Sequence, residues 1–404
     1  MPPNQGLVHP KEYDIKDSNV ELIGSDMDHR VKYNSAATEP AWNDGAVGTK
    51  PGLRVWRIEQ FQVVPWPEDQ YGRFYDGDSF IVLHSYKAGK GSDKLGHDIF
   101  FWLGNHTTHD EAGTAAYKTV ELDEFLHGAA TQHREVQSAP SDEFLSLFPR
   151  LSIRSGGART GFRHVEQPGT PREPVRTLLR VFTNPSSSVG GNGVVVHEVE
   201  PAVGSLDDGD VFVLDVGDKI WVWQGRHCSP MEKARAAQVV HDMTLAKHID
   251  VEVVAQNESR SRRVTDLLGG RDDAPQGGFR QRRPMTAAAS RHAAEADDGS
   301  RKLFRLSDAS GQLTFALVKD GGRISQGDLD GDDVYLLDDG GKGVWVWEGA
   351  GASRQEKAKW LSVAQAYILH LQRGNPDAEH HLVPLAKVNQ GNESRAFLRA
   401  MAAC

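Results

Sequence analysis

The chain has few cysteines and no long apolar stretch. Its 404 residues include only two cysteines, Cys228 and Cys404. A secreted chain of this length usually carries more, so the scarcity favours a reducing, cytoplasmic location. No stretch approaches the ~18 consecutive apolar residues of a membrane span, and the N-terminal MPPNQGLVHPKEYDIKDSN lacks the apolar core of a signal peptide. The sequence therefore predicts neither a signal peptide nor a transmembrane segment.

Positive charge is scarce as well. The 46 Lys and Arg residues are outnumbered by 56 Asp and Glu residues, which gives a formal net charge of −10. This balance argues against a general nucleic-acid-binding protein, because such proteins carry an excess of positive charge. Charged residues form 25% and hydrophobic residues 38% of the chain, as in ordinary globular proteins. The length predicts roughly two to four domains.

An acidic turn leads into an apolar run at three places. These segments read FYDGDSFIVLHSY (Phe74–Tyr86), DDGDVFVLDVG (Asp207–Gly217) and DGDDVYLLDDG (Asp330–Gly340). A tryptophan-containing run follows each, as HDIFFWLGN, DKIWVWQGR and KGVWVWEGA, and a segment of helical spacing with an early glutamate comes next. The repetition predicts three strand–turn–strand–helix units. Ser229 and Ser353 are the predicted N-caps of the second and third helices.

Polar segments rich in proline, glycine and arginine separate the copies. The predicted parts are an N-terminal extension (1–50), a first domain (51–168), a second domain (169–270), a flexible linker (271–300) and a third domain (301–404). In the helix of the third copy, the spacing of apolar residues predicts one buried face. That face comprises Ala358, Leu361, Ala364 and Ile368.

A pair of carboxylates recurs with each copy, one at the strand start and one in the first helical turn. The pairs are Asp78 with Glu111, Asp210 with Glu232, and Asp333 with Glu356. Two convergent carboxylates repel each other unless a cation lies between them, and calcium accepts carboxylate and carbonyl oxygens in flexible geometry. The recurrence favours calcium, with the carbonyls of Gly77 and Gly209 as further ligands. The alternative is a capping glutamate beside an unrelated turn aspartate.

Other candidate chemistry is weaker. His106, His109 and Glu111 resemble a zinc triad, but this spacing is common by chance and no further histidine cluster supports it. Cys228 follows His227 without a third group to orient the imidazole of a thiol nucleophile. The glycine-rich SGGARTG lacks the lysine of a phosphate-binding loop. The sequence predicts no enzyme, although a metal-dependent hydrolase that uses the carboxylate pairs stays an alternative.

Arginines cluster in PRLSIRSGGARTGFRHV and REPVRTLLR. Against the acidic background, this cluster predicts an anionic partner, such as phosphoinositide head groups or an acidic protein face. Its members are Arg150, Arg154, Arg159, Arg163, Arg172, Arg176 and Arg180. A solvated face with ordinary arginines is an equally weighted alternative, and a membrane-bound scaffold is a third functional hypothesis.

Four motifs of the first copy identify a family. YGRFYDGDSFIVLHSYK, TTHDEAGTAAYKTVELDEFL, QHREVQ and SGGARTGFRHV resemble the first domain of the gelsolin/villin superfamily, and the later copies match more loosely. The resemblance implies an α+β fold of three gelsolin-like domains, each a mixed β-sheet between a long and a short helix. It also implies a monomeric, non-enzymatic cytoskeletal protein that binds actin monomers and filaments. Such a protein severs filaments, caps barbed ends and can nucleate filaments, under calcium control and often phosphoinositide inhibition.

The resemblance further implies site residues by position. In the first domain, one calcium ion would bind the Gly77 carbonyl, Asp78, Glu111 and the Ala158 carbonyl. A second calcium ion, shared with an actin carboxylate, would bind Asp123 and the carbonyls of Gly128 and Ala130. The matching ligands of the later domains are Gly209, Asp210 and Glu232, and then Asp332, Asp333 and Glu356, with Asp272 or Asp273 as a further candidate.

Actin contacts are also implied by position. The residues are Phe61, Tyr117, Val120, Glu121 and Glu124. The second domain with the arginine cluster would dock on the filament side. Capping without severing is the alternative function, because severing requires that side contact and the second domain matches the family less closely.

Overall fold

The structure is a computed structural model, and it describes residues 36–88, 94–138, 140–157, 176–184, 193–246, 249–270, 279, 301–340, 343–372 and 384–402. The first unit contains β1 (Gly52–Glu59), β2 (Gln62–Pro65), β3 (Arg73–Tyr75), β4 (Ser79–Lys87), β5 (Leu95–Leu103), α1 (His109–Phe125), β6 (Ala130–Val136), α2 (Asp142–Ser146) and β7 (Leu151–Arg154). The second unit contains β8 (Thr177–Thr183), β9 (Val194–Val199), β10 (Val211–Asp215), β11 (Lys219–Gln224), α3 (Pro230–Ala246), β12 (Asp250–Ala255) and α4 (Ser261–Leu267). The third contains β13 (Lys302–Ser307), β14 (Thr314–Asp320), β15 (Val334–Asp338), β16 (Val344–Glu348), α5 (Arg354–Gln372), β17 (Leu385–Asn389) and α6 (Arg395–Ala402).

The predicted unit is present three times. The acidic turn precedes β4, β10 and β15, and each of these strands pairs antiparallel with the tryptophan-containing strand that follows it. The long helices α1, α3 and α5 come next, and each leads to a strand that runs parallel to the tryptophan strand. A helical crossover is the usual way to join neighbouring parallel strands. The fold is therefore α+β with mixed sheets, as the sequence predicts.

The sheets do not stop at the unit boundaries. A ten-stranded sheet in the order β14-β13-β15-β16-β17-β6-β5-β4-β1-β2 joins the third unit to the first. A seven-stranded sheet in the order β12-β11-β10-β8-β9-β7-β3 adds two strands of the first unit to the second. The junction of the larger sheet is the antiparallel pairing of β17 with β6, where Ala386 lies opposite His133. This pairing satisfies backbone groups that a free strand edge would expose.

Each unit buries apolar side chains on both faces of its sheet. In the first unit, Phe74, Phe80 and Trp102 pack with Phe144 of α2 on one face. On the other face, a second cluster packs against α1 and includes Trp42, which is fully buried and lies edge-on to Trp56. The polar stretch ahead of β1 therefore supplies core residues from Ala36 onward.

The buried face of α5 differs from the predicted one. Ala364 and Ile368 are buried as expected, whereas Ala358 is exposed and so is Leu361. The helix instead turns Tyr367 inward, where its hydroxyl donates to the Asp338 carboxylate at 2.7 Å. The large aromatic ring adds more buried apolar area than leucine or alanine would, so it moves the centre of the packed face.

A buried carboxylate, Glu135, lies in β6 beside the sheet junction. Its two carboxylate oxygens accept the backbone N–H of Ser141 at 2.8 Å and the Ser141 hydroxyl at 2.6 Å. These bonds fix the N-cap of α2, since the Ser141 hydroxyl oxygen in turn accepts the N–H of Phe144. Burial raises the pKa of Glu135 to about 7, and the Ser141 hydrogen bonds only partly offset this rise.

The pKa of Glu135 predicts a pH-dependent stability. Glu135 keeps its proton in the folded protein up to about pH 7, whereas in the unfolded chain it releases the proton near pH 4.5. Protonated Glu135 therefore favours folding at low pH, and the free energy of unfolding falls by ~3 kcal/mol as the pH rises from 4.5 to about 7. We expect Glu135→Gln, which cannot ionise, to be more stable relative to the parent at pH 8 than at pH 5. Urea unfolding followed by tryptophan fluorescence measures this, with exposed Glu68→Gln as control. An identical difference at both pH values would contradict the prediction.

Candidate functional site

The three strand-mouth aspartates are buried at equivalent positions. Asp78, Asp210 and Asp333 have side chains that are almost inaccessible to solvent. Each aspartate carbonyl accepts, at 3.0 Å, the N–H of the glycine that ends the following tryptophan strand. Those glycines are Gly104, Gly225 and Gly349, and a Cβ on any of them would collide with backbone atoms of the acidic turn. The glycine of each WxG motif therefore lets the two loops meet closely.

An arginine faces each of these aspartates, and the sequence analysis missed this role. The pairs are Arg57 with Asp78, Arg180 with Asp210, and Arg305 with Asp333. Each arginine lies on the first strand of its unit (β1, β8 or β13), opposite the second residue after the aspartate. The signal available in the sequence is one arginine inside each of the apolar runs VWRI, LLRVF and LFRLS. Strand registry, which the sequence does not give, brings it to the carboxylate.

The three ion pairs differ in how tightly the arginine is held. Arg180 is 3% exposed, and its Nε and Nη2 lie 2.6 and 2.5 Å from Asp210 Oδ2. The Arg305 Nε is 2.7 Å from Asp333 Oδ2, but this side chain is 41% exposed. Arg57 lies 3.4 Å from Asp78 and also contacts Glu59. The second unit therefore has the most desolvated pair, and the first unit has the longest.

The glutamates at the N-termini of α3 and α5 form capping boxes. Glu232 Oε2 accepts the N–H of Ser229 at 2.7 Å, and the Ser229 hydroxyl oxygen accepts the N–H of Glu232 at 3.2 Å. The other oxygen, Oε1, accepts the backbone N–H of Thr183 at 2.7 Å and the Thr183 hydroxyl at 2.9 Å. Glu232 therefore connects the N-terminus of α3 to Thr183 at the end of β8. The capping box also provides an acceptor for the Glu232 N–H, which has no partner within the helix.

Glu356 repeats this arrangement in the third unit. It accepts the N–H groups of Ser353 and Asp308, both at 2.9 Å. Burial raises the pKa of Glu356, and the charges of Asp308 and Asp333 raise it further. The convergence of the strand-mouth aspartates and helix glutamates on a cation stays a prediction.

In the first unit, a threonine joins the two carboxylate positions. The Thr107 hydroxyl lies 2.7 Å from the hydroxyl of Ser79, the neighbour of Asp78, and donates to Glu111 at 3.4 Å. A Cβ added to Gly157 would collide with the Asp78 carboxylate, so the backbone at Gly157 packs directly against that carboxylate. The neighbouring Ala158, an implied ligand, lies outside the described residues, as do Asp272 and Asp273.

These donor sets suit calcium in chemistry. Each repeat has two buried carboxylates, and carboxylate and carbonyl oxygens are the ligands that calcium takes. Within the described ranges, no three His, Cys, Asp or Glu side chains converge as a metal cluster, and a site of two carboxylates with carbonyls does not require one. The structure instead shows the carboxylates held by arginines and N–H groups.

The second implied calcium site lies at the C-terminal end of α1. Asp123 is buried, and its oxygens accept the N–H of Ala130 at 2.9 Å and the side-chain amide of Gln132 at 2.7 Å. Burial raises the pKa of Asp123 to about 6, against the lowering effects of these donors and of Lys387. The Gly128 carbonyl, another implied ligand, accepts hydrogen bonds from the third unit.

The implied actin-binding residues fall into two groups. Phe61, in the turn between β1 and β2, and Tyr117, on α1, are 61% and 55% exposed. Val120 and Glu124, also on α1, are half-buried. Glu121 is only 2% exposed; it accepts from Trp42 Nε1 at 3.3 Å and from Lys118 at 3.0 Å. Glu121 therefore faces the segment ahead of β1, so it holds that segment and does not present its carboxylate to solvent.

The four described members of the arginine cluster each contact a group within the protein. Arg180 is buried on Asp210, so the prediction that it contacts a lipid head group or filament is wrong. Arg154 pairs with Glu198 at 2.8 Å, Arg150 pairs with Asp242, and Arg176 donates to a backbone carbonyl. Arg159, Arg163 and Arg172 lie outside the described residues.

Two further sequence hypotheses can be compared with the structure. Burial raises the pKa of the Cys228 thiol, which disfavours the thiolate that a nucleophile requires. No described helix is long and apolar enough to cross a membrane.

Comparisons with known proteins agree with this architecture. A family model described as Gelsolin repeat matches residues 61–145, 192–265 and 319–398. Gelsolin-like protein 1 of Lumbricus terrestris is 37% identical over 401 residues, which cover 98% of this chain and 99% of that protein. Severin of Echinococcus granulosus is 37% identical over 370 residues, 90% of this chain and 92% of that protein. Gelsolin of Gallus gallus is 35% identical over 327 residues, 80% of this chain and 39% of that protein.

The matched segments contain the acidic turn, tryptophan strand and long helix of each unit. Together they define a protein built from three gelsolin repeats. The chain belongs to the gelsolin/villin superfamily, with the three-repeat length of its severin-like relatives.

The ion pairs predict unequal effects of removing their arginines. We expect Arg180→Ala to lower the free energy of unfolding by about 3–5 kcal/mol, because it takes the guanidinium from a fully buried carboxylate. Arg305→Ala also leaves a buried carboxylate, Asp333, but is expected to cost less, about 1 kcal/mol, because Arg305 itself is 41% exposed and solvent screens the pair. Urea unfolding in chelator measures both. Equal losses would show that burial of the pair does not set its contribution.

Proposed function

We propose that this protein binds actin, severs actin filaments and caps their barbed ends under calcium control. The observation that carries the proposal is the exposure of Phe61 and Tyr117, whose aromatic side chains are 61% and 55% exposed. Gln60 and Phe61 form the two-residue turn between β1 and β2, with φ of 49° and 67°, as such hairpin turns require. The turn therefore presents the Phe61 ring to solvent.

Tyr117 supplies a second exposed aromatic ring, on α1. Exposed aromatics of this kind commonly anchor protein interfaces. Relatives named severin and gelsolin share more than a third of their residues with this chain over the aligned length. In this reading, α1 enters the cleft of an actin subunit, with Tyr117, Val120 and Glu124 on the contact face and Phe61 beside it. Binding there competes with the contact between successive filament subunits.

Calcium regulation would act through the carboxylates described above. When bound, calcium would supply positive charge that draws each aspartate and glutamate together. The proposed ligands at the starts of β4, β10 and β15 are Asp78, Asp210 and Asp333. Those at the N-termini of α1, α3 and α5 are Glu111, Glu232 and Glu356. In the calcium-free arrangement, Arg57, Arg180 and Arg305 take the cationic role. The pairing of β6 with β17 keeps the first and third repeats together.

A capping protein without severing activity is the alternative. The observation that favours it is the engagement of the described arginines with partners inside the protein, which leaves the filament-side surface less defined than α1. No bond is made or broken in either reading, so the protein is not an enzyme. An actin partner also implies a cytoplasmic, cytoskeletal location, and liposome co-sedimentation tests phosphoinositide binding.

Fluorescence microscopy of single labelled filaments tests the proposed function. We expect breaks along filaments in calcium and intact filaments in chelator, because the proposed severing activity requires calcium at the carboxylates. Halted barbed-end growth without breaks would support the capping alternative. Unchanged filaments in both buffers would reject the proposal.

The aromatic anchor can be tested by a matched pair of variants. Tyr117→Ala is expected to weaken binding of monomeric actin about tenfold or more, since a buried interface aromatic commonly contributes ≥ ~2 kcal/mol. Leu317→Ala removes a similarly exposed apolar side chain from β14 of the third repeat, away from α1. Binding is measured with fluorescent actin in calcium. Equal affinity of the two variants would exclude Tyr117 as an anchor.

A further inference from the structure

One side of α1 presents apolar surface between two acidic residues. Asp110, Gly113 and Tyr117 are exposed there, and Val120 and Glu124 are half-buried. These residues follow one another at spacings of three and four, so they share one side of the helix. The apolar middle of this side is the tyrosine ring, which is 55% exposed.

The segment ahead of β1 is anchored on the same helix. Glu39 Oε2 accepts from Lys118 Nζ at 2.6 Å, and the indole of Trp42 donates to Glu121 Oε1 at 3.3 Å. Lys118 also donates to Glu121 at 3.0 Å, which joins the two contacts into one network. Ala36 is fully buried in the apolar cluster beneath the helix. The first described residues of the chain therefore lie against α1, and Glu39 bonds the direct neighbour of the exposed tyrosine.

Residues 1–35 precede this anchor and carry an apolar stripe in their sequence. Its members are Val20, Ile23, Met27 and Val31, at spacings of three and four. Such spacing predicts a helix with one apolar face. An apolar face gains free energy when it is removed from water, so the stripe requires an apolar surface to cover.

The side of α1 beside the anchor has a suitable position and size. Only residues 32–35 separate the stripe from Ala36, and four residues span at most about 14 Å. At 1.5 Å per residue, a helix from Val20 to Val31 is ~17 Å long, and the side of α1 from Asp110 to Glu124 is ~21 Å long. The stripe is therefore tethered within reach of a surface of comparable length.

The charges near the anchor are also complementary. The side of α1 ends in two acidic residues, Asp110 and Glu124. The part of the N-terminal segment nearest the anchor carries His29, Arg30 and Lys32. Opposite charges at the rim of a contact favour one orientation over others.

We propose that residues 18–33, the N-terminal cover, lie on this side of α1, shield Tyr117 and compete with actin. The effect on actin rests on the proposed function, in which Tyr117 lies on the contact face, whereas the cover itself does not depend on it. Because the cover is tethered, its effective concentration is high and weak contacts are enough to populate it. Actin then binds only the uncovered fraction of chains, which lowers its apparent affinity.

Hydroxyl-radical footprinting with mass spectrometry tests the cover in the full chain without actin. Ile23→Ser combined with Met27→Ser removes the middle of the stripe. We expect the oxidation rate of Tyr117 to rise about threefold or more, as for a cover that occupies most chains, while the rate of exposed Leu317 on the third repeat stays constant.

The matched control for this experiment is a second double variant in the same segment. Leu7→Ser combined with Val8→Ser changes two apolar residues outside the stripe and is expected to leave the Tyr117 rate at the parent value. An unchanged Tyr117 rate in the Ile23 and Met27 variant would overturn the proposal, and so would an equal rise in both double variants.

Binding of fluorescent monomeric actin in calcium measures the consequence for the proposed function. The Ile23→Ser and Met27→Ser variant is expected to bind about threefold or more tightly than the parent, because no cover has to be displaced. Weaker binding would show that the segment assists actin binding, which would overturn the competition. Faster Tyr117 oxidation with unchanged actin affinity would support the cover and reject Tyr117 as an actin contact, so the failures of the two proposals are distinguishable.

Discussion

The pairing of β6 with β17 is the interaction on which the arrangement of the chain depends. It turns the sheets of the first and third repeats into one ten-stranded sheet. It also brings His133, stacked on Phe100, edge-on to Trp345 of the third repeat. The positive charge of Lys387, which lies opposite Gln132, lowers the pKa of Asp123. This registry also places Asn389 and Asn392, at and just after the end of β17, against the C-terminal end of α1, where both donate to the Gly128 carbonyl.

The side chains proposed to bind calcium also stabilise the fold. A buried aspartate without a counterion would be unfavourable, and each repeat satisfies its aspartate with an arginine from the neighbouring strand. Glu232 and Glu356 accept hydrogen bonds from backbone N–H groups, including those of the N-cap residues Ser229 and Ser353. The capping interpretation of these glutamates therefore does not conflict with the proposal that they bind calcium.

Local rules accounted for much of the fold. The strand–strand–helix order, the Ser229 and Ser353 caps and the mixed sheets all follow from alternation, capping chemistry and helix period. The face of α5 was predicted incorrectly because spacing alone does not rank Tyr367 against Leu361. The arginine partners were missed because a lone arginine in a strand has no periodic signal. Its role depends on which residue of the next strand it faces.

The sequence by itself determined the three repeats, their acidic turns and the residues that family resemblance assigns to calcium and actin. These are properties of short segments, which carry their own hydrophobic period and turn chemistry. Only the tertiary structure decided that the repeats share sheets, that Arg180 is buried on Asp210 and that Asn389 and Asn392 reach Gly128. Contacts between residues so distant along the chain depend on strand registry and on which edges pair, and no local segment encodes these.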